Sequence, residues 1–195
     1  VGQPLAERVV RAVEQPAVEQ LRDIGSRHRP VGHPAPVGGD HLAGGLQFGS
    51  GNRRRGTLDY GTGIGATAGF RVNAVYEDSE SFRDGFELER YGINPTFGVD
   101  LGERTRLRLS YEHFHDERVA DRGVPSLHGR PLDVDPSTFF GNPAQSPVEA
   151  TVDAIDTVIE HDFSDGLSLR NHLRWADYDK FYQNVFPGAV DAVAQ

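Results

Sequence analysis

One proline-rich stretch of this 195-residue sequence, between Glu117 and Val148, interleaves arginine and aromatic residues. The basic and aromatic side chains of the stretch are Arg118, Arg122, His128, Arg130, Phe139 and Phe140. Guanidinium groups form charge-assisted hydrogen bonds with anions, and aromatic rings stack on flat groups. Two interpretations therefore stay open at this point. The stretch binds a flat anionic ligand, or it is a flexible surface loop whose arginines pair with its own acidic residues.

Three other motifs contain residue types that could do chemistry, but each has a simpler interpretation. Gly61–Gly69 (GTGIGATAG) has the spacing of a dinucleotide-binding loop, yet an alternating strand pattern follows it and not a helix. His113 and His115 could bind a metal ion, but no clear third ligand lies nearby. We therefore favour the interpretation that they belong to a polar-aromatic girdle at the outer end of their strand. The triplet Arg53–Arg55 is typical of a solvated hairpin tip or of a surface that meets lipid phosphates.

No combination of side chains in the sequence indicates an enzyme. The chain contains no cysteine, which excludes disulfides, thiolate zinc sites and a cysteine nucleophile. No serine lies in a nucleophile elbow, and the acidic residues are spread evenly, without a convergent pair of the glycosidase type. The formal net charge of −9 argues against nucleic acid as a partner, because such binding draws on clustered positive charge.

The elements that must position these residues fall into two regions, residues 1–43 and 44–195. In the first, Leu5–Ile24 has apolar residues near helical spacing, interrupted by Pro16, and a stretch rich in Gly, Pro, His and Arg follows. We interpret this irregular, partly helical region as a helix followed by a disordered linker. It has no apolar core of the signal-peptide kind, and the sequence contains no methionine, so we expect a piece of a longer protein.

From Leu46 onward, apolar and polar residues alternate with a period of two, which is the pattern of strands with two different faces. Five strong strands are predicted, at Phe70–Glu77, Glu87–Val99, Leu107–His113, Thr151–Phe163 and Leu167–Trp175. Two weaker strands, near Leu46–Gly49 and Thr57–Gly63, precede them. Short turns alternate with longer connections along the chain, which is the layout of an antiparallel meander with short turns at one end and long loops at the other.

The composition of the two strand faces favours a membrane barrel over a soluble sheet. Charged residues on the polar faces are too numerous for a packed soluble core and suit a water-filled lumen. Strands of about 9–11 residues with an aromatic residue near one end fit a bilayer crossing. A soluble antiparallel sheet with one solvated face remains the alternative.

The run of residues from Gly44 to Gln195 resembles the early barrel of TonB-dependent siderophore receptors of the ferrichrome and catecholate type. The similar stretches are FRVNAVYEDSESFRDGFELERYGINPTFGVDLGERTRLRLSYEHFHDERVADRGVPSLHGRPLDVDPSTFFGNP and EHDFSDGLSLRNHLRWADYDKFYQNVFPG. The resemblance implies an all-β fold, an antiparallel up-and-down meander of about seven strands within an outer-membrane barrel of about 22 strands. Residues 44–195 would form this partial barrel, and a plug domain would fill the lumen.

The resemblance also implies a receptor and transporter, not an enzyme, in the outer membrane of a Gram-negative bacterium. Its ligand would be a ferric siderophore that holds iron with its own oxygens, so we expect no cofactor and no metal ligands from the protein. Outer-membrane lipid would surround it, and the TonB complex would contact a region outside this sequence. Loop positions in such receptors imply six siderophore contacts: Arg118, Arg122, Val124, Phe139, Tyr182 and Phe186.

Residues 1–43 depart from the pattern of the family. The plug of these receptors ends in a glycine-rich run and an Asn-Arg-Val-Thr-Lys-like strand, and the region contains neither these features nor a TonB box. A second interpretation of the region is therefore an altered remnant of plug sequence, produced by frameshift or rearrangement. For the whole chain, the alternatives are a soluble or periplasmic β-sheet binding module and a TonB-dependent transporter of another nutrient.

Overall fold

A computed structural model describes residues 40–188 of the protein. The helix predicted at Leu5–Ile24 lies outside these residues. The described part consists of a seven-stranded antiparallel sheet, a small two-stranded hairpin and one short 3-10 helix. Within residues 40–188, no helix is long and apolar enough to cross a membrane.

The seven long strands follow one another across the sheet in chain order, so the sheet is an up-and-down meander. The nine strands are β1 His41–Phe48, β2 Arg54–Ile64, β3 Ala68–Glu80, β4 Glu87–Asp100, β5 Thr105–Val119, β6 Ser126–Leu127, β7 Arg130–Pro131, β8 Pro147–Ser164 and β9 Leu167–Tyr182. The long loop, defined as residues 120–146, joins β5 to β8 and contains the β6–β7 hairpin and the 3-10 helix Pro143–Gln145. The predicted fold class, an all-β antiparallel meander of seven strands, is confirmed.

Direct cross-strand pairing aligns side chains of the same kind into rows that run across the sheet. One such row, from β3 to β9, contains Phe70, Phe97, Leu109, Thr157 and Leu173. We call this side of the sheet the apolar face and the opposite side the polar face. Large side chains of the apolar face are open to the surroundings, with Leu173 66% exposed. The alternation predicted for the five strong strands agrees with this division.

The buried apolar residues lie on the polar face, between rows of charged residues. Phe114 and Val152 pair directly across β5 and β8 and are 5% and 6% exposed, and Val75 of β3 packs against them. Ala154, the next residue of β8 on the same face, is fully buried. A sheet whose buried residues lie on its charged side is unlike a soluble sandwich, in which the apolar side is covered.

The connections at the two ends of the sheet differ in length. The three short turns, residues 65–67, 101–104 and 165–166, all lie at one end, and Gly102 supplies a left-handed conformation there with φ +87°. The connections at the other end, 49–53, 81–86 and 120–146, are longer. The structure therefore has a short-turn end and a long-loop end.

Several strands extend beyond their predicted bounds. β1 begins at His41 and not near Leu46, because Gly44 occupies an apolar-face position opposite Leu58 and conceals the alternation. At the long-loop end, β5 and β8 continue past their alternating segments, since the apolar face there carries charged residues such as the opposed pair Glu117 and Glu149.

Candidate functional site

Charged side chains on the polar face pair with one another across the strands. Arg174 of β9 lies 2.6 Å from Asp156 of β8 and 3.1 Å from Glu112 of β5. The path to Glu112 crosses β8 at Ala154, which is paired with Glu112 on one side and Ala176 on the other. A larger residue at this position would stand in the way of the arginine. The pairing compensates charges that would be costly if left alone in a partly buried setting.

A second set of ion pairs includes one of the predicted contacts. Asp116 of β5 lies 3.1 Å from Arg90 Nε and 3.3 Å from Arg118 Nε. The Arg118 side chain is therefore directed to the polar face of the sheet, with 21% of its area exposed. In the arginine triplet, Arg53 and Arg55 both pair with Glu77, at 3.1 and 2.6 Å. These four arginines thus pair with carboxylates on the polar face of the sheet.

The two histidines considered as metal ligands lie on the apolar face, toward the long-loop end. His113 Nδ1 is 2.8 Å from Asp153 Oδ1, and His115 Nδ1 is 2.9 Å from Thr151 Oγ1. The Tyr91 ring lies beside both imidazoles, with centroid separations of 5.9 and 5.2 Å. The arrangement supports the girdle interpretation. Among residues 40–188, no group of three His, Asp or Glu side chains is placed to hold a metal ion.

A buried arginine joins the long loop to the β3–β4 connection, residues 81–86. Arg83 is 8% exposed, and its Nε donates to Asp121 Oδ2 at 3.0 Å. Its Nη1 donates to the carbonyl oxygens of Pro136 and Thr138, at 3.0 Å for Thr138. One guanidinium therefore connects the beginning of the long loop to a segment 15 or more residues further along it.

A second junction joins the long loop to residues 183–188, which follow β9. The fully buried hydroxyl of Ser146 donates to the Asn142 carbonyl at 2.7 Å and accepts the Val185 N–H at 3.0 Å. The Asn142 N–H donates in turn to the Val185 carbonyl at 3.3 Å. Gly141 lies so close to this carbonyl that a β-carbon would overlap it, and its φ of +148° also favours glycine.

Between the two junctions, the structure brings together four of the six predicted contacts. The guanidinium carbon of Arg122 lies 4.0 Å from the centroid of the Phe186 ring, in a cation–π contact. The positive charge of Arg122 also lies beside the hydroxyl of Tyr182. The ring of Phe139 approaches the same segment, because it lies beside Gly141. We call Arg122, Phe139, Tyr182 and Phe186 the arginine–aromatic cluster.

The other two predicted contacts are Arg118 and Val124. Arg118 is occupied by Asp116 on the polar face, and Val124 is half-buried in the long loop just before β6. Within the cluster, Tyr182 is 57% and Phe186 46% exposed, so a ligand could reach both rings. An accessible guanidinium beside two open rings can bind a flat anionic group by charge-assisted hydrogen bonds and stacking.

Sequence reasoning missed the residues that hold the loops, above all Arg83 and Ser146. Arg83 and Asp121 are 38 positions apart, and Ser146 and Val185 are 39 apart, so no local pattern links them. One local signal existed in Asp121–Gly123, because an aspartate two residues before a glycine often caps its own turn. Asp121 Oδ1 does accept the Gly123 N–H, at 2.7 Å.

Sequence comparison identifies receptors as relatives of the chain. No protein-family model matches the sequence. The chain is 32% identical over 144 residues to the catecholate siderophore receptor Fiu of Escherichia coli, which covers 66% of this chain and 19% of that protein. It is 30% identical over 137 residues to the metal-pseudopaline receptor CntO of Pseudomonas aeruginosa, covering 68% and 19%. The chain thus spans about a fifth of the length of the curated relatives it matches.

Structure comparison gives the same class of protein. The chain matches the crystal structure of the ferric-catecholate import receptor Fiu from E. coli, open form, with a TM-score of 0.70 and 28% identity. This match covers 77% of the chain and 25% of the solved one. The siderophore receptor PiuA from Acinetobacter baumannii gives a TM-score of 0.68 at 26% identity, covering 75% and 22%. These relatives are receptors and not enzymes.

Proposed function

We propose that this chain, a homologue of the TonB-dependent siderophore receptors, forms part of the barrel wall of an outer-membrane receptor that captures ferric siderophores. Its relatives are outer-membrane receptors of Gram-negative bacteria, and we assign the chain to the same membrane. The proposal concerns the complete polypeptide, because the chain spans only about a fifth of these relatives. Residues 44–195 supply wall strands and outer loops. Residues 1–43 are either a helix followed by a disordered linker or an altered remnant of plug sequence.

The observation that carries the proposal is that one sheet has two different faces and two different ends. Exposed rows such as the one that contains Leu109 and Leu173 suit lipid, and paired charges such as Arg174 and Glu112 suit a wet lumen. In hydrocarbon, the open edges of β1 and β9 need partner strands, because an unpaired backbone N–H or C=O finds no water there. We therefore propose that further strands of the complete polypeptide close the barrel.

Ligand capture is assigned to the long-loop end. Arg122 supplies positive charge beside the exposed rings of Phe186 and Tyr182, which suits the flat, anionic catecholate groups that hold ferric iron. Phe139 borders this position, Val124 follows Arg122 by two residues, and Arg118 pairs with Asp116 on the polar face. The siderophore's own oxygens hold the iron, and transport is energised through TonB from a region of the polypeptide outside the described residues.

The test is uptake of iron by living cells. The complete polypeptide is expressed in an Escherichia coli strain that lacks its own catecholate receptors, and uptake of radioactive iron is measured from a ferric catecholate and from a ferric hydroxamate. We expect uptake from the catecholate complex, and none in a strain without TonB. Absence of uptake from both complexes, with the receptor present in the outer membrane, would refute the proposed function.

A second candidate ligand is a chelate of a metal other than iron. It is favoured by the 30% identity to CntO, which is named a metal-pseudopaline receptor. The same cells distinguish the candidates when they are given radioactive zinc or nickel bound to an organic chelator. TonB-dependent uptake of zinc or nickel, without uptake of ferric catecholate, would assign the receptor to this second class.

A further inference from the structure

The most deeply buried basic side chain of the described residues lies in a loop, not in the wall. Arg83 is 8% exposed and belongs to the β3–β4 connection, outside the arginine–aromatic cluster. We propose that Arg83 is a positioning residue for ligand capture, which acts through Asp121 to hold Arg122 in place. This inference rests on the proposed function, because it assigns Arg122 to the ligand.

The first step is the contact between Arg83 and the long loop. Its guanidinium faces three acceptors, namely Asp121 Oδ2 at 3.0 Å and the carbonyl oxygens of Pro136 and Thr138. A planar guanidinium with five N–H donors can serve three acceptors at fixed angles, and a lysine ammonium at the end of a flexible stem cannot reproduce that geometry. The contact therefore specifies arginine.

The second step is the double use of the Asp121 carboxylate. Oδ2 accepts from Arg83, while Oδ1 accepts the N–H of Gly123 at 2.7 Å, and Gly123 adopts φ +77°. Arg122 is the residue between these two, so its backbone is fixed from both sides. An aspartate whose two oxygens are held in this way transmits the position of Arg83 to Arg122.

The third step is the contact of Arg122 with a different segment of the chain. Its guanidinium lies 4.0 Å from the Phe186 ring, and Phe186 follows the segment that Ser146 holds to the long loop. The cluster is thus assembled from two segments, each held by its own junction. A site that is ordered before the ligand arrives binds more tightly, because the ligand does not bear the entropy of ordering it.

The backbone supports the same docking of the β3–β4 connection. The Asp84 N–H donates to the Ser137 carbonyl at 2.8 Å, and the Arg83 N–H donates to Ser81 Oγ at 2.9 Å. The first contact keeps the connection against the long loop when the Arg83 side chain is changed, and the second holds the turn of the connection itself. A substitution at Arg83 therefore releases Asp121 without removing the whole junction.

Two variants separate the ion pair from the turn. Arg83→Gln removes the positive charge and the guanidinium N–H donors of Arg83. Asp121→Asn removes the negative charge but keeps an oxygen that can accept the Gly123 N–H. The complete polypeptide is purified from outer membranes, and the Kd of ferric tris-catecholate is measured by quenching of intrinsic fluorescence. We expect each variant to raise Kd about tenfold. Arg83→Lys should fail to restore the affinity, and Arg130→Gln in the same loop should leave Kd unchanged.

A double-mutant cycle distinguishes positioning from a general structural role. Arg122→Ala alone should raise Kd at least as much as Arg83→Gln, and adding Arg83→Gln to Arg122→Ala should then change Kd less than twofold. An equal further loss in the Arg122→Ala background would overturn the positioning role. So would an unchanged Kd in both Arg83→Gln and Asp121→Asn.

The remaining outcomes separate this inference from the proposed function. If Arg122→Ala weakens binding and the two positioning variants do not, only the positioning role fails. If wild-type protein binds no ferric catecholate and imports none, the proposed function itself fails. Heat-modifiable migration on gels confirms for every variant that the barrel has folded, and Asp121→Asn carries the test if Arg83→Gln does not fold.

Discussion

The wall and the long-loop end of this protein obtain their structure in different ways. The wall, made of β1–β5, β8 and β9, is a set of repeated cross-strand pairs between neighbours in the chain. The long-loop end, residues 81–86, 120–146 and 183–188, depends on single contacts such as Arg83 to Asp121 and Ser146 to Val185. The wall therefore follows from a repeated pattern, whereas the loop end depends on a few residues whose partners are distant in sequence.

The largest effect is expected from a charge on the wrong face of the wall. Leu173 and His172 are neighbours in β9. Both are exposed, Leu173 to 66% and the side chain of His172 to 54%. Leu173→Lys places a charge toward lipid and should destabilise the inserted barrel by about 2 kcal/mol or more. His172→Lys should have little effect, because a lysine on the polar face can still pair with Asp156. Urea unfolding in lipid vesicles measures both.

Exposure alone predicts equal effects for these two substitutions, so the pair tests the assignment of faces. Equal stability of Leu173→Lys and His172→Lys proteins would mean that both faces contact water, as in a soluble module. The wall would then have the same aqueous surroundings as the loop end.

The second effect concerns a place where the wall depends on a specific side-chain contact. Arg174 reaches Glu112 over Ala154, which is fully buried. Ala154→Leu should block this path and leave Glu112 without its partner, at about 1–3 kcal/mol in the free energy of unfolding. Ala74→Leu on the apolar face adds the same atoms toward lipid and should be nearly neutral. A neutral Ala154→Leu would show that the arginine has another route or no role.

Much of the wall was predictable from sequence, and the reason is its period. Alternation along β3, β4, β5, β8 and β9 fixes which residues share a face, and the register then follows from the short turns. The resemblance to TonB-dependent siderophore receptors is confirmed by the relatives, which are about 30% identical. β1 was placed too late, because Gly44 and Gly45 remove side chains from the pattern.

At the long-loop end, the sequence allowed us to predict which residues are candidate contacts but not how they are held in place. Arg122, Phe139, Tyr182 and Phe186 were expected by position in the loops, and the structure brings them near one another. Their role as siderophore contacts stays a prediction. Arg83 was not expected, because its partners lie 38 to 55 positions away and no periodic pattern encodes such contacts. Contacts of this kind between a side chain and a distant backbone carbonyl depend on the folded arrangement of the whole chain.

The third effect concerns the junction between the long loop and residues 183–188. Gly141→Ala places a β-carbon against the Val185 carbonyl and should open this junction, at a cost of about 1–3 kcal/mol in local strain. The long loop should then lose its protection.

Gly129 provides the matched control for this substitution. It lies in the same loop with φ +76°, but a β-carbon there meets no atom within 4 Å. Gly129→Ala should therefore show only the smaller cost of a left-handed alanine, about 1 kcal/mol. Limited proteolysis of membrane-inserted protein, followed at the long loop, compares the two. Equal cleavage rates would contradict the close approach of Gly141 to Val185.

The smallest effect is a local pH dependence in the long loop. The backbone N–H of Ser137 donates to Asp135 Oδ1 at 2.8 Å and lowers the pKa of this exposed carboxyl below its ordinary value. Because the folded pKa is depressed, the contact contributes fully above the ordinary aspartate pKa and is lost as the pH falls through the folded pKa. Exchange of the Ser137 amide should therefore accelerate, relative to its intrinsic rate, only in strong acid. Asp135→Asn should abolish this dependence, and a dependence that persists would assign it to another group.

The central claim, that one face of the wall meets lipid and the other a wet lumen, can be tested directly in β5. These 195 residues contain no cysteine, so single cysteines can be introduced one at a time at positions 106 to 111 and spin-labelled in outer-membrane vesicles. We predict that labels at 107, 109 and 111 collide with lipid-dissolved oxygen and labels at 106, 108 and 110 with a water-soluble nickel reagent. Access of the nickel reagent to all six positions would contradict the account.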